Sequence, residues 1–135
     1  MTSLNGDVDL FFQGSIYAVG GASQRRHKYG NQIFRALQRQ HWKVYPLNPV
    51  VESVEGVLAF KSLEALPEVP NSLCIVTPPL VTLELVKSAI KLGVESLWIQ
   101  PGAQHPDAGL LARASGLNVI DDGRCLLIEL GQSEL

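Results

Sequence analysis

This chain is short of cysteine, histidine and aromatic residues, which excludes several kinds of site. It has 135 residues and two cysteines, Cys74 and Cys125, with fifty residues between them. That spacing matches neither a zinc motif nor a CxxC redox pair. The three histidines, His27, His41 and His105, include no pair with the helical spacing of metal ligands. We therefore predict no metal site.

Long apolar runs are also missing. No stretch approaches the roughly 18 apolar residues of a membrane-spanning helix. The first residues, MTSLNGDVDLFF, place acids before a very short apolar run and lack the basic start of a secretory signal. With so few cysteines, we expect a reduced, cytoplasmic protein with no membrane partner.

Charge is scarce and unevenly placed. Charged residues make up 18% of the chain, and the net charge is −2. Residues 1–45 carry six bases and two acids, or +4, whereas residues 46–135 carry five bases and eleven acids, or −6. A nucleic-acid surface would be basic over a whole face. One basic cluster in an acidic protein favours a small anionic ligand instead.

The rest of the composition is that of one globular domain. Hydrophobic residues make up 46% of the chain, and no repeat, linker or low-complexity tract interrupts it. A chain of this length can bury about two-thirds of its unfolded surface and hold a core without disulfides. We predict one domain over residues 1–135, with residues 1–14 as a lead-in that carries a short helix around Leu10–Phe12.

Short apolar runs alternate with helix-length segments. The predicted strands are Ser15–Val19, Lys43–Leu47, Val57–Phe60, Leu73–Val76, Leu97–Gln100 and Asn118–Ile120. The predicted helices are Tyr29–Gln40, one turn at Ser62–Leu66 capped by Ser62, Leu80–Leu92 and Pro106–Ser115, with Leu126–Leu130 packing back on the domain. Such alternation predicts parallel strands with right-handed crossovers. We expect an α/β fold with a Rossmann-like, open, doubly wound parallel sheet of five or six strands.

In such a sheet the ligand lies beyond the carboxyl ends of the strands, where strand order reverses. The loop after the first strand, GGASQRRHKYG, combines the permissive Gly20 and Gly21 with the Ser23 hydroxyl and the start of a helix. Its basic side chains are Arg25, Arg26, His27 and Lys28. Together these features are typical of a polyphosphate cradle. A plain strand-to-helix turn with a solvated charge run is the alternative.

Three later loops supply further candidates. Asn48 and Pro49 follow the second strand, Thr77-Pro78-Pro79 follows the fourth, and Gln100 ends the fifth. Thr77 either bonds to a ligand or caps the following helix. Gln100 either binds a ligand with its amide or holds its own loop through a backbone hydrogen bond.

Groups for catalysis are sparse, and we identify no catalytic residue. Asp121-Asp122 is typical of a solvated turn, and Cys125 is better interpreted as an inert buried cysteine. The G-x-G-x-x-G fingerprint is incomplete and no Walker A motif occurs. Asn48 stands where a dinucleotide site usually places an acid for the ribose diol, which disfavours NAD.

In their order and spacing, several motifs resemble those of the small stand-alone CoA-binding domain proteins. The motifs are GGAS…YG, VYPLNP, SLEALP, IVTPP, LWIQPG and DDGRCLLIE, and they span about residues 10–130. These proteins are similar to the N-terminal CoA-binding domain of the succinyl-CoA synthetase α subunit. The resemblance implies bound coenzyme A, with its diphosphate and 3′-phosphate near Gly21, Ser23 and the basic residues. It places the adenosine beside Asn48 and Pro49.

The resemblance further implies that Thr77-Pro78-Pro79 and Gln100 flank the rest of the cofactor. The chain departs from the family pattern in its first loop, which is shorter, more basic and free of prolines. Thr77 stands where the family often has arginine, and Gly123 precedes Arg124 where the family tends to run directly from Asp to Arg. The resemblance therefore implies the fold and the cofactor more directly than the contacts of individual bases.

Three functions remain in competition. The first is a module that binds CoA or an acyl-CoA without chemistry of its own, alone, as a homodimer or with a protein partner. The second is an enzyme, either an NADP-type oxidoreductase or a ligase subunit that needs a partner chain. The ligases carry their phosphorylated histidine and nucleotide grasp in further domains. The third is an interaction protein with a degenerate site.

We expect CoA to bind in preference to NAD, because the first loop is basic and Asn48 is uncharged. Calorimetric titration with CoA, acetyl-CoA, NAD and NADP checks this. NAD binding as tight as that of CoA contradicts it.

We also expect Gly21→Val to abolish CoA binding while the domain still folds, because the position lies at the mouth of the sheet. A purely structural turn predicts the reverse. A side chain there would then strain the backbone by about 1–3 kcal/mol and lower the melting temperature with affinity retained.

Overall fold

The computed structural model describes residues 6–133, with side chains through residue 131. The predicted lead-in therefore falls partly on residues 1–5, outside the described residues. Its short helix is present as α1, Val8–Phe11. Asp7 caps this helix by accepting a hydrogen bond from the N–H of Leu10 at 3.1 Å.

The described residues form seven strands, five α-helices and one 3-10 turn. The strands are β1 Ile16–Gly20, β2 Lys43–Leu47, β3 Ser53–Val54, β4 Val57–Leu58, β5 Ser72–Ile75, β6 Ser96–Ile99 and β7 Asn118–Ile120. The helices after α1 are α2 Tyr29–Gln38, α3 Pro79–Leu92, α4 Pro106–Ala114 and α5 Leu126–Ser133, and the 3-10 turn is Leu63–Ala65. The predicted elements thus occur in the predicted order, with most ends shifted by one or two residues.

Five of the strands form one parallel sheet in the order β2-β1-β5-β6-β7. The chain passes from β1 to β2 on one side and then to β5 on the other side of β1. Strand order therefore reverses between β1 and β5. This arrangement confirms the predicted doubly wound α/β sheet and fixes its strand number at five.

The segment between β2 and β5 differs from the prediction. Val57–Phe60 does not form a strand of the main sheet. Instead β3 and β4 make a small antiparallel hairpin, and Phe60 contacts β2 through a single bridge to Leu47. The chain reverses because Glu55 and Gly56 both adopt positive φ, which produces a tight two-residue turn.

Pro46, Ser62 and Gly93 show how local residue preferences meet the fold. Pro46 lies in β2, which is an edge strand of the sheet, so its missing N–H is tolerated. The predicted cap at Ser62 is wrong, because that side chain makes no hydrogen bond to the 3-10 turn that follows it. By contrast, Gly93 ends α3 in the left-handed conformation, with φ +87°, as the sequence pattern indicates.

Helices cover both faces of the sheet, so the core has two halves. One half packs α1, α2 and α5 around Trp98, and the other packs α3 and α4 against Leu73 and Leu97. The strands are apolar without alternation because both of their faces are buried. Each large side chain that is fully buried contributes about 1.5–3 kcal/mol of apolar transfer free energy. Every helix described is too short or too polar to cross a bilayer.

Candidate functional site

The loops after β1 and β5 meet at the point where strand order reverses. They form a crevice made of two adjoining cavities of about 320 and 570 Å³. Both cavities are lined by Gly21, Pro49, Thr77 and Val81. The sequence-predicted loops therefore come together at the carboxyl edge of the sheet, the usual ligand position in open α/β sheets.

Gly21 is required by the backbone at this point. Its φ is +88°, and a Cβ built on it would lie 2.4 Å from the carbonyl oxygen of Val76. The expectation that Gly21→Val leaves the fold intact is therefore wrong. The reason is that the main chains of the β1 and β5 loops touch here, so a side chain would push the two loops apart.

Gly30, in the first turn of α2, makes an equally close approach that the sequence reasoning missed. A Cβ on Gly30 would lie 2.1 Å from the carbonyl oxygen of Gly21. This glycine lets α2 pack directly on the β1 turn, the task of the third glycine in the dinucleotide fingerprint. The signal was the Tyr29-Gly30 pair in the motif, since glycine inside a helix has a propensity cost and usually marks close packing.

The basic loop is held by polar side chains of α2. The buried Asn31 donates from Nδ2 to the carbonyl oxygen of Ser23 at 2.8 Å. Gln32 donates to the carbonyl of His27 at 2.8 Å, and Arg35 donates to that of Arg26 at 3.1 Å. These three α2 side chains were not predicted, because polar residues on a helix face carry no signal of their bonding partners. They fix the shape of the loop before any ligand arrives.

Ser23 and Asn48 also shape the loop. Ser23 Oγ accepts from the N–H of Arg25 at 3.0 Å, which leaves its hydroxyl proton available for donation. Asn48 Nδ2 donates to the carbonyl of Ala22 at 2.8 Å, and its Oδ1 accepts from the backbone of Val50 at 2.8 Å. The Asn48 amide thus ties the β2 loop to the β1 loop.

The bases of the loop differ in their partners. Arg26 Nη2 lies 3.3 Å from Glu55 Oε1. Arg25 and Lys28 are exposed and form no ion pair with any residue that the structure describes. Lys28 occupies the N-cap of α2 without a side-chain cap bond, so the first N–H groups of α2 are left free of a capping side chain.

Thr77 and Pro78 form the opposite wall of the crevice. The hydroxyls of Thr77 and Thr82 are hydrogen-bonded at 2.8 Å. Pro78, and not Thr77, is the N-cap residue of α3 and supplies no side-chain cap. Thr77 therefore does not cap α3. Its hydroxyl lies in the cavity wall and is hydrogen-bonded to the hydroxyl of Thr82 in α3.

Gln100 is buried beneath the crevice, and both ends of its amide are hydrogen-bonded to other residues of the protein. Its Oε1 accepts from the N–H of Leu126 at 2.7 Å, and its Nε2 donates to Cys125 Sγ at 3.4 Å. One of these bonds is to the backbone, as the structural alternative expected, but it holds the start of α5 against the end of β6 and not the loop of Gln100 itself. Gln100 and Cys125 also line a small cavity of about 110 Å³ beside Tyr29.

The two cysteines have different surroundings. Cys74 is fully buried in β5, and that burial raises the pKa of its thiol well above the ordinary value. Cys125 is only partly buried, so its interpretation as a buried cysteine is wrong. No group of His, Cys, Asp and Glu within residues 6–133 is arranged to hold a metal ion.

A larger cavity, about 680 Å³, lies at the opposite edge of the sheet. Its walls include Asp7, Glu95 and one base, Arg113, which is already paired with Asp121. That cavity therefore offers an anion no unpaired positive charge, and the crevice at the carboxyl edge is the better candidate site.

This is a Rossmann-like α/β domain with its candidate ligand site at the switch point of the sheet. The features that define it are the reversal of strand order, the glycine turn and the start of α2, which meet in the crevice. The family model described as CoA binding domain matches residues 15–131. The chain belongs to this CoA-binding domain family, which confirms the resemblance inferred from the motifs.

Relatives and solved structures agree with this assignment. The α subunit of acetate–CoA ligase (ADP-forming) II from Pyrococcus furiosus is 37% identical over 94 residues, which is 68% of this chain and 20% of the relative. This chain thus spans about a fifth of the length of that relative.

Two solved structures match nearly whole chains. A conserved hypothetical protein from Pyrococcus furiosus has a TM-score of 0.76 and 34% identity, covering 85% of this chain and 97% of that one. A hypothetical protein from Pyrococcus horikoshii has a TM-score of 0.86 and 27% identity, covering 92% and 87%. The fold therefore also occurs in proteins of about this size.

Because Gly21 combines positive φ with a main-chain clash, we expect Gly21→Ala to destabilise the domain more than Gly102→Ala. Gly102 also has positive φ, +91°, but nothing lies within 4 Å of an added Cβ. Both variants therefore place a side chain on a left-handed backbone, which costs stability at each position. At position 21 the clash lowers the free energy of unfolding by about 1–3 kcal/mol more. Urea unfolding of both variants measures the difference. Equal losses of stability would show that the loops do not touch as described.

Proposed function

We propose that this protein binds coenzyme A or an acyl-CoA in the crevice at the carboxyl edge of the sheet. The residues proposed to form the site, by contact or by support, are those expected from the sequence: Gly20, Gly21, Ser23, Arg25, Arg26, Lys28, Asn48, Pro49, Thr77, Pro78 and Gln100. The observation that carries the proposal is the basic loop at the switch point of a chain that belongs to the CoA-binding domain family.

The phosphates are proposed to bind between the β1 turn and the start of α2. The free N–H groups of the first α2 turn and the positive end of its dipole favour anions. Lys28 and His27 line the 570 Å³ cavity together with Ser23, whose hydroxyl can donate to a phosphate oxygen. Gly21 lets the β1 turn pack against the β5 loop, which places its main chain in the cavity wall.

The adenine is proposed to occupy the 320 Å³ cavity beside Pro49. Besides Pro49, four of its lining side chains are apolar: Leu47, Leu63, Val81 and Leu85. Two acids, Glu64 and Glu84, and one base, Lys61, also line it. The lining is therefore negative on balance, which disfavours a phosphate there and suits the polar edge of a base. Asn48, engaged with the β1 loop, acts here by holding Pro49 in place.

The pantetheine arm is proposed to run from the phosphates toward the small cavity beside Gln100. The walls of that route include Tyr29, Val76 and Pro101, which suit a flexible arm of low charge. Gln100 then contributes by shaping the cavity floor, since both ends of its amide are engaged.

These contacts bind and orient a cofactor. Ser88 Oγ donates to Glu64 Oε2 at 3.0 Å in the 320 Å³ cavity, but this pair lies on the proposed adenine side and not at the thiol end of the pantetheine arm. We therefore favour a binding module. A ligase subunit that acts with a partner chain is the second candidate, because the relative of highest identity described above is the α subunit of an acetate–CoA ligase, of which the matched part is a fifth. Acetyl-CoA formation on addition of a partner subunit would favour this second function.

Neutralising the loop tests the proposed phosphate site. We expect the triple change of Arg25, Arg26 and Lys28 to Gln to weaken CoA binding by about 2–4 kcal/mol, since each charged hydrogen bond contributes roughly 1 kcal/mol or somewhat more. Dephospho-CoA should bind more weakly than CoA to the wild-type protein. Calorimetric titration measures both effects.

The matched control changes three bases remote from the crevice, Arg39, Lys43 and Lys91, to Gln. It alters the net charge equally and should leave CoA affinity nearly unchanged. If the loop variant melts normally and binds CoA like the wild type, the phosphates do not lie at this loop.

A further inference from the structure

The hairpin formed by β3 and β4 is attached to the basic loop. Gln24 Nε2 donates to the carbonyl oxygen of Ser53 at 2.9 Å. Val54, in β3, is fully buried in the core half that contains α2. The hairpin therefore has a fixed position, and its turn, Glu55-Gly56, lies against the loop.

Glu55 holds an unfavourable backbone conformation in that turn, with φ +49°. Two-residue turns of this kind take Asn, Asp or Gly at the first position, and longer side chains there are uncommon. A strained residue that persists in a folded structure points to a use for its side chain.

The Glu55 carboxylate lies between a base and the backbone support of the loop. Oε1 is 3.3 Å from Arg26 Nη2, and Oε2 accepts from Asn31 Nδ2 at 3.2 Å. The Glu55 side chain is 23% exposed and that of Arg26 is 66% exposed. The same Asn31 nitrogen also donates to the carbonyl of Ser23. The Glu55 carboxylate thus contacts both a base of the loop, Arg26, and the side chain that holds the loop backbone, Asn31.

An anion that enters the loop meets two kinds of base. Arg25 and Lys28 have no ion-pair partner among the described residues, whereas Arg26 is held by Glu55. A phosphate group carries more charge and more acceptor oxygens than one carboxylate, so it can take Arg26 from Glu55. The exchange leaves Glu55 near the bound anion, where like charges repel.

We propose that Glu55 is the internal counter-ion of the basic loop and sets its affinity for phosphate groups by competing for Arg26. Glu55 neutralises Arg26 and keeps the loop in shape when no ligand is present, and it lowers the affinity of every phosphate ligand that uses Arg26. This role rests on the proposed function of the loop as the phosphate site for CoA.

The test is Glu55→Gln, which removes the charge and keeps an oxygen that can accept from Asn31. We expect this variant to bind CoA, and separately inorganic pyrophosphate, about three- to fivefold more tightly than the wild type in low salt. The gain should shrink at about 0.5 M sodium chloride, where charges are screened within a few ångströms. Glu52→Gln is the matched control, since Glu52 is exposed and forms no ion pair within the described chain.

A double-mutant cycle tests whether the gain in affinity depends on Arg26. In an Arg26→Gln background, Glu55→Gln should give no gain, because the base for which Glu55 competes is gone. Weaker or unchanged binding by a folded Glu55→Gln protein overturns the proposal, and so does an equal gain in both backgrounds. If Glu55→Gln does not fold, Glu55→Asn, which suits the turn, is expected to show the same gain, and its absence overturns the proposal.

The two ligands separate this inference from the proposed function. If the wild type binds no CoA but pyrophosphate binds more tightly to Glu55→Gln, the proposed function fails and the role of Glu55 stands. If CoA binds the wild type and neither ligand responds to Glu55→Gln, the role of Glu55 fails and the proposed function stands. If the wild type binds neither ligand, both fail.

Discussion

The close approach of three main-chain segments around Gly21 is the constraint on which the rest of the site depends. The N–H of Gly21 donates to the carbonyl of Leu47 at 3.2 Å, and that of Val76 donates to the carbonyl of Gly20 at 2.8 Å. From the other side, Gly30 brings α2 onto the same turn. With side chains at these glycines the loops would separate, and both the crevice and the position of the α2 N-terminus would be lost.

Shape and charge are supplied by different parts of the chain. The glycines and the sheet determine where the crevice opens, whereas its positive charge comes from a loop that the α2 side chains hold in place. Because these side chains donate to loop carbonyls, the negative ends of those dipoles are already neutralised and do not oppose an anion. A chain with an overall charge of −2 can therefore keep one locally basic site.

The sheet and the positions of its loops could be predicted because buried parallel strands are short apolar runs bounded by glycine and proline. The roles of single side chains could not. Gln100 is polar and ends a strand, which suits a ligand contact as well as a structural bond, and only the position of Leu126 decides between them. Glu55 has no sequence signal, since its turn is stabilised by contacts with residues 24 to 29 positions away.

The same limit explains the error at Gly21. A glycine at the mouth of a sheet can leave room for a ligand or for the neighbouring main chain, and the sequence does not show how near the β5 loop lies. Family membership adds the cofactor expected of such a crevice but not the contact made by each residue. The crevice geometry and the family therefore both support the proposed CoA site.

The central proposal is that CoA occupies the carboxyl edge of the sheet. The most direct measurement is the change in backbone amide NMR shifts as CoA is titrated into the isotope-labelled protein. We expect the largest changes at Gly21, Ser23 and the first turn of α2, with smaller ones beside Pro49 and Thr77. Changes confined to residues 93–95 and 115–119, around the cavity at the opposite edge, would contradict it.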